Sequence, residues 1–265
     1  MPARSKLARP PAMWRFPSGG SQAPLPPQRL RFMGESDERF RELGDHLVEM
    51  LRLHAGLKPD SRVLDIGSGY GRLPHALMRG GFEGEYLGLD VQRRQIRWCA
   101  RNLGSERFAF RHVDLHNERY HPAGKGSIRD LDLEQGSYDV VCAFSVFTHM
   151  WPEDVEAYLD VFRRALATDG KALATFFLID EKWRRLEAEG KVALRLPNFR
   201  GAHCRYESEE EPLHIVGYDI EWVLRAGFVS GLLPAGPPVF GLWSWRPVES
   251  TGCVAYQDTV AFQRI

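Results

Sequence analysis

The segment R-V-L-D-I-G-S-G-Y-G-R-L, residues 62–73, constrains the fold more than any other part of the chain. Apolar residues run up to Asp65, and Gly67, Gly69 and Gly71 then stand at alternate positions. Glycine is favoured where the backbone takes unusual angles or must touch a ligand with no Cβ in the way. A strand that ends in such a turn and continues as a helix builds a nucleotide-binding corner. The segment therefore predicts a strand, a nucleotide-binding turn and a helix.

The composition excludes several classes of protein. Of the 265 residues, 43% are hydrophobic and 26% charged, which is typical of a soluble globular protein. Lys+Arg and Asp+Glu both total 35, so no global field directs the chain to nucleic acid or an anionic membrane, and neither partner is predicted. Four widely spaced cysteines favour a reducing cytoplasm over a disulfide framework. We find neither an apolar stretch of membrane-spanning length nor the apolar core of a secretory signal.

Strands alternate with helices along most of the chain. Such alternation predicts a parallel sheet covered on both faces. The predicted strands lie at 62–67, 85–90, 108–114, 138–147 and 171–179. The first predicted helix runs from Ser36 to a stop at Gly56, and the next two cover 71–79 and 92–103, the latter with Gly104 as C-cap. A fourth predicted helix starts at Pro152 and a later one ends at Gly227. After Gly227, two strands joined by a long aromatic-rich loop fit an antiparallel hairpin that closes the sheet.

The domain organisation follows from shifts in composition. Residues 1–30 are rich in Pro, Arg and Ser without periodicity, which predicts a flexible N-terminal arm. Residues 31–265 show no internal repeat and no second core, so they are predicted to form one domain. Within it, 181–217 and 234–257 are interpreted as insertions on the substrate side of the sheet.

The glycine spacing separates two kinds of nucleotide site. A dinucleotide fingerprint, G-x-G-x-x-G counted from Gly67, would need its third glycine where Arg72 stands. The pattern present, D-x-G-x-G-x-G over 65–71, resembles motif I of the class I S-adenosylmethionine-dependent methyltransferases. The order of later motifs is similar to that family too, because Asp90 ends the second predicted strand and Asp114 the third.

This resemblance covers roughly residues 30–265 and implies a fold, a cofactor and a binding site. The implied fold is α/β, a Rossmann-like doubly wound and mostly parallel seven-stranded sheet with an antiparallel C-terminal hairpin, in a single class I methyltransferase domain. The implied cofactor is S-adenosyl-L-methionine. Its implied binding residues are Asp65, Gly67, Ser68, Gly69, Gly71, Arg72, Asp90, Val91, Asp114, Leu115, Phe144, Met33 and Gly34.

Three of these assignments carry specific expectations. The resemblance places Asp90 on the ribose hydroxyls, since a carboxylate can accept from both, although Asp90 alone also fits a helix N-cap. Asp114 corresponds to the residue that reads the adenine amino group. Asp65 is expected to act indirectly, by holding the loop and the cofactor's amino group through hydrogen bonds. The stretch 31–34 is interpreted either as a lid over the cofactor or as a simple linker.

Further stretches resemble one bacterial branch of the family, associated with glycan or secondary-metabolite assembly. They are Q-R-L-R-F-M-G, I-R-W-C, V-D-L-H-N-E-R-Y-H-P-A-G, S-V-F-T-H-M and the terminal G-L-W-S-W…Y-Q-D. The branch implies a small-molecule acceptor, methylated at oxygen, such as a sugar or a secondary-metabolite intermediate. Trp245 departs from the branch, which has a glycine there. The run 143–146 lacks the Asn/Asp-Pro-Pro-aromatic motif of branches that methylate nucleic-acid bases.

The predicted catalytic residue is His149, which follows the fourth strand. In open α/β sheets the site lies beyond the carboxyl ends of the strands, where an imidazole can act as general base for a hydroxyl acceptor. The alternative is that His149 holds the start of the next helix. Phe144, Phe147 and Trp151 are interpreted either as pocket lining or as core, and the same choice applies to the loop that carries Trp243, Trp245 and Arg246.

Two further alternatives concern metals and the type of protein. His112, Asp114 and His116 alternate on one face of an extended strand, a spacing that can hold a metal, but Asp114 already has an assigned role and no metal is predicted. A noncatalytic cofactor-binding scaffold and a nicotinamide-dependent oxidoreductase are the rival functions, and Arg72 argues against the second. Neither oligomeric state nor acceptor identity follows from the sequence.

Overall fold

A computed structural model describes residues 23–31, 36–244 and 256–265 of the protein. Its helices are α1 Asp37–Ala55, α2 Arg72–Gly80, α3 Arg93–Asn102, α4 Pro152–Ala165, α5 Glu181–Ala188 and α6 Ile220–Val229. Its strands are β1 Arg62–Ile66, β2 Glu85–Asp90, β3 Phe108–His112, β4 Tyr138–Ala143, β5 Leu166–Phe176, β6 Leu178–Ile179, β7 Asn198–Arg200, β8 Cys204–Tyr206, β9 Val216–Asp219, β10 Leu232–Pro234 and β11 Asp258–Arg264.

Seven of these strands form one sheet in the order β3-β2-β1-β4-β5-β11-β10. The first five in sequence, β1 to β5, pair in parallel, whereas β11 is antiparallel to both β5 and β10. The strand order reverses at β1 and β4, which makes the edge beside them the switch point of a doubly wound sheet. The predicted fold class, with its antiparallel hairpin at the end of the chain, is confirmed.

The central strands are buried on both faces because helices cover both sides of the sheet. Val140, Val141, Cys142 and Ala143 of β4 are completely inaccessible to solvent. Near-continuous apolar runs of this kind are what a parallel sheet between two helical layers requires. The apolar run before Asp65 has the same origin, since four of the five residues of β1 are buried.

Helix α1 begins and ends as the sequence predicts. The Ser36 hydroxyl accepts a hydrogen bond from the Arg39 amide at 3.1 Å, and Asp37 and Glu38 lie in the first turn, where negative charge is favourable. Gly56 ends the helix with a φ of 69°. These local signals need no tertiary context, which explains why they are readable from the sequence.

The end of the predicted N-terminal arm packs against α1. Arg31 is buried, forms an ion pair with Asp37 at 2.7 Å, donates to the Pro26 carbonyl and lies 5.3 Å from the centre of the Phe40 ring. Leu30 is buried beside it. Leu30 and Arg31, on either side of the predicted boundary between arm and domain, are therefore both packed. Residues 1–22 of the predicted arm and residues 32–34 of the predicted lid stretch lie outside the described residues.

Two glycines predicted as helix ends have another role. α3 ends at Asn102 with Leu103 in right-handed geometry, and Gly104 is needed because a Cβ there would lie 2.2 Å from the Ala100 carbonyl oxygen. Gly227 lies inside α6, which continues to Val229, and its missing Cβ makes room for the Phe262 ring. The predicted helix end before Gly104 agrees with α3 to within one residue, although Leu103 is the C-cap. The predicted end at Gly227 was wrong, because close packing against Phe262 requires a glycine there and α6 continues to Val229.

The fourth and fifth predicted strands have different bounds in the structure. β4 ends at Ala143, four residues before the predicted end, because the chain turns into a 3-10 segment over Phe147–His149. β5 begins at Leu166 and ends at Phe176, and Leu178–Ile179 forms the separate strand β6.

A second, four-stranded sheet in the order β6-β9-β8-β7 was not predicted. β6 follows β5 after a single residue, so this sheet extends from the carboxyl end of the main one. Ile179 of β6 belongs to an apolar cluster that also includes Trp183, Leu196 and Trp243. Among the described residues, no helix has the length and apolar character needed to cross a bilayer.

Candidate functional site

The glycine turn after β1 has the backbone geometry that the sequence predicts. The φ angles of Gly67, Gly69 and Gly71 are 80°, 56° and 83°, all in the left-handed region. Residues with a Cβ adopt this region at a cost of roughly 1–2 kcal/mol each. The turn leads into α2, whose first residue is Arg72. The prediction of unusual backbone angles at these glycines is confirmed.

Neighbouring segments enclose the turn closely. A Cβ on Gly67 would lie 2.4 Å from a methyl carbon of Val146, in the segment after β4, and a Cβ on Gly71 would lie 2.8 Å from Leu103. The amides of Gly67 and Ser68 both donate to the Leu89 carbonyl, at 2.8 and 3.0 Å. The turn is therefore fixed between the ends of β2 and β4.

Asp90, at the end of β2, binds the turn directly. Its Oδ2 accepts from the Gly69 amide at 2.8 Å and its Oδ1 accepts from the Gln92 amide at 2.7 Å. Burial raises the pKa of Asp90, and these backbone hydrogen bonds oppose that rise. The N-cap of α3 is Gln92, so Asp90 is not itself the cap residue. A carboxylate has about four acceptor positions, so Asp90 keeps acceptor capacity for a ligand hydroxyl.

Asp65 lies in the sheet and contacts other strands. Its carboxylate accepts from the Tyr86 hydroxyl at 2.6 Å and from the Cys142 thiol at 3.6 Å. Complete burial raises the pKa of Asp65 to about 6, while these two hydrogen bonds act in the opposite direction. The observed bonds run to β2 and β4, whereas the sequence interpretation had Asp65 holding the glycine turn.

The end of β3 places the predicted adenine-reading residue at the surface. Asp114 is exposed, and its Oδ1 lies 2.7 Å from Nε2 of His121. This hydrogen bond lowers the pKa of Asp114. Leu115 is buried in the main core, and Val91, after β2, is half-buried against it.

The three residues with metal-like spacing bind different groups. Nε2 of His112 lies 3.1 Å from the Val91 carbonyl oxygen, Asp114 binds His121, and Nδ1 of His116 lies 3.1 Å from the Pro122 carbonyl oxygen. Within the part of the chain that the structure describes, no group of three or more His, Cys, Asp and Glu side chains is arranged to hold a metal.

Ser145, directly after β4, has a strained backbone that the sequence does not reveal. Its φ is 55°, and it is the single described residue other than glycine with a positive φ. The Ser145 amide donates to the Thr175 hydroxyl at 2.8 Å, and its own hydroxyl donates to the Gln257 side chain at 3.0 Å. The Gln257 amide nitrogen lies 3.4 Å from the Thr148 hydroxyl. Strain that the surrounding structure maintains at a strand end is characteristic of functional sites.

His149 lies where three parts of the chain meet. Its Nδ1 donates to the Leu213 carbonyl at 3.1 Å, and its ring packs edge-on against Tyr120, with the ring centres 5.6 Å apart. Burial lowers the pKa of His149 to about 4, so the imidazole is neutral at pH 7. In that state Nε2 is a hydrogen-bond acceptor. The observed bond runs to the 207–215 segment and not to the start of α4, whose N-cap is Trp151.

The aromatic residues near β4 divide between core and periphery. Phe147 is completely buried among aromatic rings, so it belongs to the core. Phe144 is half-buried against an apolar cluster that includes Leu77, Val140 and Leu173. Trp151 donates to Glu118 at 2.9 Å, and the Arg200 guanidinium lies 4.1 Å from the centre of its indole.

Trp243 is not available to a substrate. It is completely buried against Trp183 and Phe177, and its indole N–H donates to Asp258 at 2.6 Å. Of the two interpretations, the packed one holds for this residue. Trp245, Arg246 and the predicted cofactor residues Met33 and Gly34 lie outside the described residues.

Surface depressions do not by themselves identify the site. One of about 670 Å³ lies between α5 and the start of α6, and its lining includes none of the predicted cofactor residues. Another, of about 400 Å³, lies at the end of β3 and is lined in part by Asp114 and Leu115. The backbone geometry and the hydrogen bonds of the glycine turn point instead to the edge beside β1, β2 and β4.

Comparison with known proteins agrees with this geometry. A family model described as a methyltransferase domain matches residues 36–216. Among solved structures, the PH0226 protein of Pyrococcus horikoshii is similar with a TM-score of 0.58 at 16% identity, over 87% of this chain and 93% of that one.

Two further structures have comparable folds. The magnesium protoporphyrin IX methyltransferase of Synechocystis, solved with S-adenosylhomocysteine, gives a TM-score of 0.52 at 15% identity over 90% of this chain and 92% of its own. The 1,6-didemethyltoxoflavin-N1-methyltransferase of Burkholderia thailandensis, solved with 1,6-didemethyltoxoflavin and S-adenosylhomocysteine, gives a TM-score of 0.51 at 16% identity, over 86% of this chain and 79% of its own. At these identities the likeness concerns the fold.

Proposed function

The chain belongs to the methyltransferase domain family, an S-adenosylmethionine-dependent class of enzyme, and we propose that it methylates a small-molecule acceptor at an oxygen atom. A sugar or a secondary-metabolite intermediate is the proposed acceptor, on the sequence resemblance to one bacterial branch. The observation that carries the proposed site is the Asp90 carboxylate bound to the amide of Gly69 within a turn of three left-handed glycines.

The turn has the shape and polarity needed for the cofactor. A Cβ built on Gly69 would meet a single described atom within 4 Å, so space lies open above this glycine. We assign the ribose hydroxyls to the remaining lone pairs of Asp90 and the adenine amino group to Asp114. The bound cofactor supplies an electrophilic methyl group on a sulfonium. The backbone of Gly67, Ser68 and Gly69 positions it, and Arg72, Val91, Leu115 and Phe144 complete the proposed surroundings.

The acceptor lies, in this proposal, at the carboxyl end of β4. A Cβ on Gly67 would lie 2.4 Å from Val146, and on this proximity we assign Ser145 and His149, in the same segment, to the acceptor side of the methyl donor. There the protein aligns the acceptor with the methyl group, which lowers the activation barrier by roughly 7–11 kcal/mol in favourable cases, and it excludes water. The 181–217 region, whose strands extend from the carboxyl end of β5, is proposed as the substrate side.

His149 is the proposed general base. Its Nδ1 is held by the Leu213 carbonyl, which fixes the tautomer and leaves Nε2 to accept a proton from the acceptor hydroxyl. Because burial lowers the pKa of His149 to about 4, the ring is deprotonated throughout the neutral range. General acid–base catalysis is typically worth about 10²–10⁴-fold in rate and is most efficient where the pKa of the base lies near the operating pH.

Calorimetric titration tests the cofactor assignment. Wild-type protein should bind S-adenosylmethionine and S-adenosylhomocysteine, and Asp90→Ala should abolish binding of both. Asp90→Asn, which keeps one acceptor oxygen, is the matched variant and should bind with intermediate affinity. Thermal unfolding of each apo protein controls for folding. Unchanged affinity in Asp90→Ala would refute the ribose assignment.

Turnover tests the catalytic assignment and separates an enzyme from a noncatalytic scaffold. Acceptors, beginning with sugars, are screened by release of S-adenosylhomocysteine. With an active acceptor, His149→Ala should lower kcat by about 10²–10⁴-fold and leave cofactor affinity intact. Wild-type kcat should not decline between pH 8 and pH 5, because the base stays deprotonated there. Full activity of His149→Ala would remove it as the base.

A further inference from the structure

Gln95, in the first turn of α3, is buried yet presents an acceptor without a partner. The residue is 6% exposed, and its side-chain oxygen Oε1 has no hydrogen-bond donor among the described residues. We propose that Gln95 is a cofactor-binding residue whose Oε1 accepts a hydrogen bond from a ribose hydroxyl. This inference rests on the cofactor site proposed above.

The orphan oxygen lies at the glycine turn. A Cβ built on Gly69 would have one described neighbour within 4 Å, and that neighbour is Oε1 of Gln95, at 3.9 Å. The acceptor therefore borders the open space above Gly69. Any ligand group that occupies this space meets the Gln95 oxygen.

Hydrogen bonds connect Gln95 to the proposed ribose residue. The Gln95 amide donates to the Gln92 carbonyl at 3.0 Å, the Gln92 amide donates to Oδ1 of Asp90, and Oδ2 of Asp90 accepts from the Gly69 amide. Gln95 and Asp90 thus face the same glycine from two positions on one turn of chain. The ribose offers two hydroxyl donors there, and the adenine amino group is assigned to Asp114, on β3.

A buried side-chain oxygen without a donor costs stability, and this cost favours a ligand contact over packing as the explanation for Gln95. The other residues that α3 buries, Ile96 and Cys99, have apolar or weakly polar side chains. A buried acceptor that loses water without gaining a donor destabilises the fold, and an apolar residue of the same shape would avoid that loss. A hydroxyl donor from the cofactor removes the deficit when it binds.

The experiment uses the full chain and S-adenosylhomocysteine as the probe. Gln95→Met keeps the length of the side chain and removes the acceptor, and Gln263→Met makes the same change at an exposed position on β11. We expect about tenfold weaker binding for Gln95→Met and unchanged binding for Gln263→Met. The apo midpoint of thermal unfolding of Gln95→Met should be no lower than that of wild type.

Deoxy probes distinguish a direct contact from a structural effect. The 2′-deoxy and 3′-deoxy forms of S-adenosylhomocysteine each lack one donor. Wild type should bind both deoxy probes more weakly than S-adenosylhomocysteine, because Asp90 contacts the diol. For one of the two probes, this loss of affinity should be about tenfold smaller in Gln95→Met than in wild type. That difference is the coupling between Oε1 and the missing hydroxyl.

The outcomes separate this inference from the proposed function. The role of Gln95 is refuted, while the cofactor site stands, if wild type binds S-adenosylhomocysteine and Gln95→Met binds it equally well. The same conclusion follows if Gln95→Met loses as much affinity as wild type for each of the two deoxy probes. If wild type does not bind S-adenosylhomocysteine, the proposed cofactor site and the role of Gln95 are refuted together.

Discussion

The buried carboxylate of Asp65 should make the protein less stable as the pH rises from 4 to 6. Asp65 is enclosed by the sheet, with the Tyr86 hydroxyl and the Cys142 thiol as its donors. Burial penalises the charged form more than these two donors favour it, so the pKa of Asp65 rises from 3.8 to about 6. In the unfolded chain the same group titrates near 3.9.

The size and sign of the effect follow from linkage. Below pH 4 the carboxyl group is protonated in both states, and the full stability is present. Between pH 4 and pH 6 the folded protein holds a proton that the unfolded chain has released, so the free energy of unfolding falls by about 1.4 kcal/mol per pH unit. Above pH 6 both states are ionised and the loss is complete. A pKa rise from 3.8 to about 6 corresponds to about 3 kcal/mol in total.

Chemical denaturation of wild type and Asp65→Asn at several pH values measures this contribution. Asparagine fills the same volume without a titrating proton, so the difference between the two proteins removes the contribution of groups that do not interact with Asp65. The difference should move in favour of the variant by about 3 kcal/mol between pH 4 and pH 7. A difference that stays constant over this range would show that Asp65 titrates normally and that its enclosure does not govern its charge.

Two other predictions concern backbone geometry at the site. In chemical denaturation, the free energy of unfolding of Ser145→Gly should be about 1 kcal/mol higher than that of Ser145→Ala. Both variants lose the hydrogen bond to Gln257, but only glycine relieves the strain at a φ of 55°. Equal values would mean that no strain is stored there. Gly67→Ala should cost about 2–5 kcal/mol, from a φ of 80° and a contact of 2.4 Å with Val146. Gly56 has a φ of 69° and no atom within 4 Å of a built Cβ, so Gly56→Ala measures the cost of the positive φ alone. Equal losses of unfolding free energy in Gly67→Ala and Gly56→Ala would show that the contact with Val146 costs nothing.

Local signals made the cofactor half of the fold predictable. The bounds of β2 coincide with the predicted strand, and the glycines of the turn after β1 have the left-handed angles expected of them. In each case the information lies within a few consecutive residues: an apolar run, a cap or a glycine.

The parts that could not be predicted depend on contacts between distant residues. β7 and β8 are three residues long and partly charged, too short for periodicity to show, and they exist because they pair with each other and with β9. Gly227 carries no sign of the Phe262 ring that requires it. Ser145 is not a residue type associated with positive φ, and its strain depends on Thr175, thirty residues away. Asp65 was expected at the turn, but its donor Tyr86 lies on the next strand.

The position of β11 bears on how the protein is made. β11 lies between β5 and β10, both of which precede it in the chain, and it brings Asp258, whose buried carboxylate accepts from Leu178, Gly241 and Trp243. During synthesis the five parallel strands can assemble first, leaving the eleven-residue β5 as an unpaired edge. An open edge of this length invites pairing with another chain until the last strand arrives. We therefore expect the growing chain to be most prone to aggregation just before β11 leaves the ribosome, when β6 still lacks the Asp258 carboxylate to which the Leu178 amide donates.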